Sequence, residues 1–113
     1  MESIARIKNL RGSPRKARLV IDLIRGKMVE EAKNILAFSK KRASTHIEKL
    51  LNAAVSNLVE KEGRVNVENL YVKEAYVDEG ITMKRLRARA HGHADRIQKR
   101  SCHISIKVAE INK

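Results

Sequence analysis

The sequence predicts an α+β fold: three strands and three helices in one small domain, with a long protruding β-hairpin. Three observations predict it. Apolar residues recur at helical spacing near 14–24, 28–38 and 41–61. They alternate at period two near 2–10, 64–79 and 101–111. The residues from Gly80 to Arg100 carry no apolar pattern able to fold alone, yet lie between two strands. A length of 113 residues leaves no room for a second domain. The expected body spans about 1–79 and 101–113, and the expected ribbon about 80–100.

In residues 2–10, Arg6 and Lys8 alternate against Ala5 and Ile7, as in a strand with one polar face. Gly12-Ser13-Pro14 is punctuation: Ser13 suits an N-cap, and Pro14 suits the first helical position. That helix presents Ala17, Val20, Ile21 and Ile24 on one face and stops near Gly26, a left-handed cap. The second helix places Val29, Ala32, Ile35 and Leu36 together, with Glu30 and Glu31 in the first turn, where the helix dipole favours acids. Ser39 to Arg42 is a polar, basic break. The third helix, 41–61, is the most regular. Ile47, Leu50, Leu51, Ala54, Val55 and Leu58 follow the i, i+3, i+4, i+7 pattern, and Gly63 ends it.

Val65, Val67, Leu70, Val72 and Val77, with Tyr71 and Tyr76, predict a strand over 64–79. In 101–111, His103, Ser105 and Lys107 alternate against Ile104, Ile106 and Val108. Structureless loops longer than about fifteen residues are uncommon in compact domains. Both strands are therefore expected to continue outward, with a turn near His91-Gly92. At ~3.3 Å per residue, ten residues beyond Glu79 carry the tip about 30 Å from the body. Such a ribbon is marginal in water, and its own cations repel one another, so it needs a partner that neutralises it.

The net charge is +12, from 25 basic and 13 acidic residues. Arg6, Lys8, Arg11, Arg15, Lys16 and Arg18 form one zone without an acid. Lys84, Arg85, Arg87, Arg89, Arg96, Lys99 and Arg100 form a second, with Asp95 the only acid. Each zone holds +6, and the remaining residues balance at twelve against twelve. A neutral body with two cationic zones fits a polyanion, nucleic acid before an acidic membrane. No apolar run approaches the ~20 residues of a membrane span, and no apolar signal region opens the chain. One cysteine, Cys102, excludes an internal disulfide and fits a reducing cytosol. With few aromatics, RNA binding should be led by phosphate and shape rather than by base stacking.

Candidate chemistry is sparse. His91-Gly92-His93-Ala94-Asp95 has H-x-H-x-D metal spacing. The only other histidines are His46 and His103, and the flanking Arg89 and Arg96 oppose a cation, so no metal or other cofactor is expected. Cys102 has no general base, because His103 projects to the opposite strand face; a small half-buried side chain is expected. Arg11-Gly12-Ser13-Pro14 lacks the glycines and the Gly-Lys-Ser/Thr ending of a phosphate loop. Its helix start can still take one backbone phosphate. Glu30-Glu31 and Asp78-Glu79 are adjacent pairs that form no acid/base dyad. No enzyme is expected.

Ser13-Pro-Arg-Lys-Ala-Arg-Leu-Val, then Leu23-Ile-Arg-Gly-Lys, resembles the N-terminal signature of the bacterial large-subunit ribosomal protein twenty-two family. So do Asn69-Leu-Tyr-Val-Lys-Glu-Ala-Tyr-Val-Asp-Glu-Gly and the run from Gly92 to Ile104. The resemblance implies three helices packed on a three-stranded antiparallel sheet, with an extended hairpin. It implies a cytoplasmic, structural protein of the large ribosomal subunit, which binds and organises large-subunit (23S) rRNA. It implies a hairpin lining the polypeptide exit tunnel, beside large-subunit protein four and the nascent polypeptide. By the same resemblance, the thirteen basic residues of the two zones contact rRNA. Met83, Lys84, Arg85, Ala88, His91, Gly92 and His93 belong to the tunnel hairpin, and Met83-Lys84-Arg85 is the segment linked to macrolide response. The chain departs from the family pattern at Ile81 and Ala88, where proline is frequent, and at His91 and His93, where basic residues are common. No membrane contact is implied, and the free protein is expected to be a monomer. The alternative reading is a free-standing basic RNA-binding regulator.

Overall fold

The computed structural model describes residues 2–63, 65–80, 83–88 and 94–111. The elements in chain order are β1 (Glu2–Arg11), α1 (Pro14–Ile24), α2 (Val29–Phe38), α3 (Ala43–Glu62), a 3-10 turn (Val67–Asn69), β2 (Leu70–Glu79), β3 (Met83–Ala88), β4 (Ala94–Lys99) and β5 (Ser101–Glu110). Strands β1, β5 and β2 form one antiparallel sheet in that order. The helices cover one of its faces, and the core lies between. Val20, Ile21 and Ile24 of α1, Ile47, Leu51 and Leu58 of α3, and Ile104, Ile106 and Val108 of β5 are fully buried there. These are the apolar stripes that the periodicity picks out.

The start of β2 differs from expectation. Residues 65–69 are not strand. The side-chain oxygen of Asn66 accepts the Glu68 N–H at 3.1 Å and bends the chain into the 3-10 turn, leaving Val67 exposed. An Asx-type turn competes directly with the ladder for the same backbone groups. Ser105 also differs: its polar register predicts exposure, but it is buried. It lies on the central strand with Arg6 and Tyr76 as its cross-strand neighbours, and these flank it.

Two register shifts set which side chains face outward. In β2, the pairing steps from Val72↔Val108 to Glu74↔Lys107, so Lys73 is an extra residue. Burial accordingly changes phase, from Leu70 and Val72 to Ala75 and Val77. In β1, Lys8 and Asn9 together oppose His103, between Ile7↔Ile104 and Leu10↔Cys102. Asn9 takes a left-handed φ of 59°, and its N–H donates to His103 Nδ1 at 3.0 Å. This bulge turns Leu10 toward the core and leaves Arg11 exposed.

β2 is an edge strand, and α1 covers its open edge. Arg18 donates through Nε and Nη2 to the Val77 carbonyl at 3.2 and 3.0 Å. Arg25, two helical turns on, donates through the same atoms to the Ala75 carbonyl at 2.9 and 2.6 Å. The loop after α1 continues the seal. Gly26, at φ 78°, donates to the Val72 carbonyl at 3.0 Å, and Val72 N–H donates to the Lys27 carbonyl at 2.9 Å. A sealed edge cannot recruit a foreign strand. Arg25→Ala is expected to cost about 1–2 kcal/mol, because a charged donor pair is lost and the Ala75 carbonyl is left open. Urea unfolding measures this; an unchanged midpoint would show that water replaces the guanidinium without loss.

Candidate nucleic-acid interface

The first cationic zone is built by β1 and the start of α1. Arg6, Lys8 and Arg11 are exposed on β1. Arg15 and Lys16 are exposed on the first turns of α1, where Pro14 occupies the first helical position. Ser13 stands at the N-cap with an extended backbone and makes no side-chain cap bond; its carbonyl accepts Ala17 N–H at 3.2 Å. Arg18 is exposed but has committed two guanidinium nitrogens to Val77. It is a clamp as well as a surface cation. Arg25, not singled out by the sequence, is its structural partner. The signal that could have found it is the seven-residue spacing of two arginines, one on α1 and one at its C-cap.

The second zone begins where the first ends. Gly12 N–H donates to the Arg100 carbonyl at 2.9 Å, and Arg11 pairs in register with Ser101. Gly80 N–H donates to the Ser101 carbonyl at 2.9 Å, which carries the β2–β5 pairing to the foot of the ribbon. A Cβ on Gly80 would approach the Ser101 hydroxyl to 2.5 Å and the Ser101 carbonyl carbon to 3.2 Å, so this neck admits only glycine without adjustment. The two zones, about seventy residues apart in sequence, thus meet at one end of the sheet.

Beyond the neck, β3 and β4 pair only with each other among the described residues, from Met83↔Lys99 to Ala88↔Ala94. Lys84, Arg85 and Arg87 lie on β3, and Arg96 and Lys99 on β4. Arg87 stands opposite Asp95. Arg100 is exposed between β4 and β5. The proposed turn residues His91 and Gly92, together with Arg89 and His93, lie outside the described residues.

The remaining electrostatics belong to the body. The Glu2 carboxylate pairs with Lys73 and with Lys107, the latter at 3.3 Å, and Lys107 also reaches Glu74 at 3.8 Å. The hydrogen bond from Lys73, then that from Lys107, holds the Glu2 carboxyl below its ordinary range. Glu2 in turn raises Lys73. This network ties all three strands of the sheet. Cys102 is fully buried rather than half-buried, because β5 is central, and burial pushes its thiol upward. His103 is spent on the Asn9 bulge. Among the described residues, no group of three His, Cys, Asp or Glu side chains is placed to hold a metal. Among them too, no helix is long and apolar enough to cross a membrane.

The geometry therefore gives a neutral packed body, one cationic end and a basic ribbon. Comparison with known proteins agrees with it. The family model described as ribosomal protein L22p/L17e matches residues 5–109. The large ribosomal subunit protein uL22 of Halothermothrix orenii is 57% identical over 110 residues, covering 97% of this chain and 96% of that one. Similarity that runs through β1, all three helices and the ribbon to the end of β5 shows that the chain belongs to the ribosomal protein L22p/L17e family, a family of structural ribosomal proteins and not of enzymes.

Proposed function

We propose that this chain is a cytoplasmic constituent of the large ribosomal subunit that binds large-subunit rRNA and lines the peptide exit tunnel. The observation that carries this reading is the junction at Gly12 and Arg100, where the two cationic zones join beneath a ribbon with a separate two-stranded pairing. Arg6, Lys8, Arg11, Arg15, Lys16 and Arg18 bind rRNA at the body. Lys84, Arg85, Arg87, Arg89, Arg96, Lys99 and Arg100 bind it along the ribbon. The domain is single, with a body over about 1–79 and 101–113 and a hairpin over about 80–100. The radius of gyration supports a projecting hairpin: it is 17.3 Å, against about 13 Å for a compact chain of this length. The hairpin residues Met83, Lys84, Arg85, Ala88, His91, Gly92 and His93 face the tunnel, the nascent polypeptide and large-subunit protein four.

Two measurements test this. The protein is expected to sediment with the large subunit through high salt. A photo-crosslinker at Met83 is expected to capture nascent polypeptide in stalled translation complexes, whereas one at Glu62, at the far end of α3, is not. Release from the subunit in high salt would sink the structural role. Capture of rRNA alone at Met83 would sink the tunnel placement only.

A further inference from the structure

We propose that the corner between α2 and α3 is a third RNA contact, where an unpaired base stacks on Phe38 and Lys40, Lys41 and Arg42 hold the flanking phosphates. The inference rests on the RNA-binding reading above and adds a site to it.

Phe38 is the chain's only phenylalanine, and it is 86% exposed at the last residue of α2. The buried stripe of that helix is Val29, Ala32 and Leu36, so Phe38 lies off the face that packs on the core. A large aromatic left in water carries a standing cost that a partner would relieve. Its surroundings select the partner. Lys40, Lys41 and Arg42 follow it, all exposed, and among the described residues none is ion-paired. No acid stands between Glu31 and Glu48.

The corner is built rather than loose. The Ser39 hydroxyl accepts the Ser44 hydroxyl at 2.7 Å and the Lys41 N–H at 3.3 Å. Ser44 N–H donates to the Lys41 carbonyl at 3.1 Å, and the Ser44 side chain is buried. Lys40 to Arg42 are thereby held on a fixed turn directly after the ring. A flat π face with three unpaired cations beside it matches a nucleotide, whose base stacks and whose phosphates take the charge. A protein partner would have to bring both an apolar pocket and a cluster of carboxylates.

The test uses the full-length protein and transcribed large-subunit rRNA, with thermal melts to confirm that each variant folds. Phe38→Leu keeps an apolar side chain but loses the π face. It is expected to weaken binding by about 5- to 150-fold, the loss of one stacked base, with the salt slope unchanged. Phe38→Tyr keeps the ring and is expected to stay within about twofold of the parent. A combined Lys40→Ser, Lys41→Ser, Arg42→Ser variant is expected to lower the salt slope instead. The chain has no tryptophan, so Phe38→Trp supplies a unique indole whose emission should fall on RNA addition. Parent-like affinity in Phe38→Leu, with an indole that RNA does not quench, would overturn the site in favour of a protein contact. If the parent itself bound rRNA without salt dependence, the underlying RNA reading would fail first.

Discussion

Raising salt from about 50 to 200 mM is expected to weaken binding to large-subunit rRNA by about 10³- to 10⁵-fold, and neutralising the ribbon should remove much of that dependence. The size follows from counting. The two zones hold thirteen basic residues. If roughly half meet phosphates, six or more counterions leave the RNA on binding, and each adds close to one unit to the slope of log affinity against log salt. Lys84→Ser, Arg85→Ser and Arg87→Ser together should therefore lower the slope by about two to three. Arg15→Ser with Lys16→Ser, on the exposed turns of α1, should lower it by about one to two. Arg18 is a poor choice for this comparison, because its guanidinium also holds the Val77 carbonyl and its loss would loosen the sheet edge. Filter binding over a salt series measures all of this. A slope unmoved by the ribbon variant would remove the ribbon from the RNA interface.

The sequence carries the helices of this fold almost completely, because their apolar stripes repeat over several turns. Ile47 through Leu58 marked α3, and Ala17 through Ile24 marked α1, with only terminal residues displaced. The strands were legible where alternation is unbroken and obscure where one residue is inserted. Lys73 and Asn9 are such insertions. Each inverts the facing of everything after it, and nothing in a local composition announces that. Asn66 had the turn chemistry on view, but the valines on either side outweighed it. The two cationic zones were plain from charge alone, whereas their meeting at Gly12 and Arg100 needed the strand order. The Phe38 corner was legible only as a polar, basic break: its three cations, Lys40 to Arg42, are cancelled in any whole-body count by acids elsewhere.

Deleting Met83 to Arg85 is expected to leave the free protein's stability within about 1 kcal/mol of the parent, while Leu51→Ala costs about 2–5 kcal/mol. The contrast follows from where apolar area is buried. Leu51 is fully buried on α3, among the residues that join helix to sheet. Truncating it removes transfer free energy and leaves a cavity that the surrounding rigid elements fill only in part. For a domain of this size that is a fall in Tm on the order of 10–20 °C. The deleted segment belongs to β3, whose only pairing among the described residues is with β4. No body strand loses a ladder bond when it is shortened. The neck bonds at Gly12, Gly80 and Ser101 lie on the body side of the cut and should survive it. Function should respond in the opposite order. With Met83-Lys84-Arg85 at the tunnel wall, as proposed above, the deletion should change the effect of macrolides on translation. Thermal melts read the first half and translation assays with macrolide read the second. Unfolding of the deletion variant would mean that the ribbon completes the core and that the division into body and ribbon is wrong. A stable variant with an unaltered macrolide response would keep that division and remove Met83 to Arg85 from the tunnel wall.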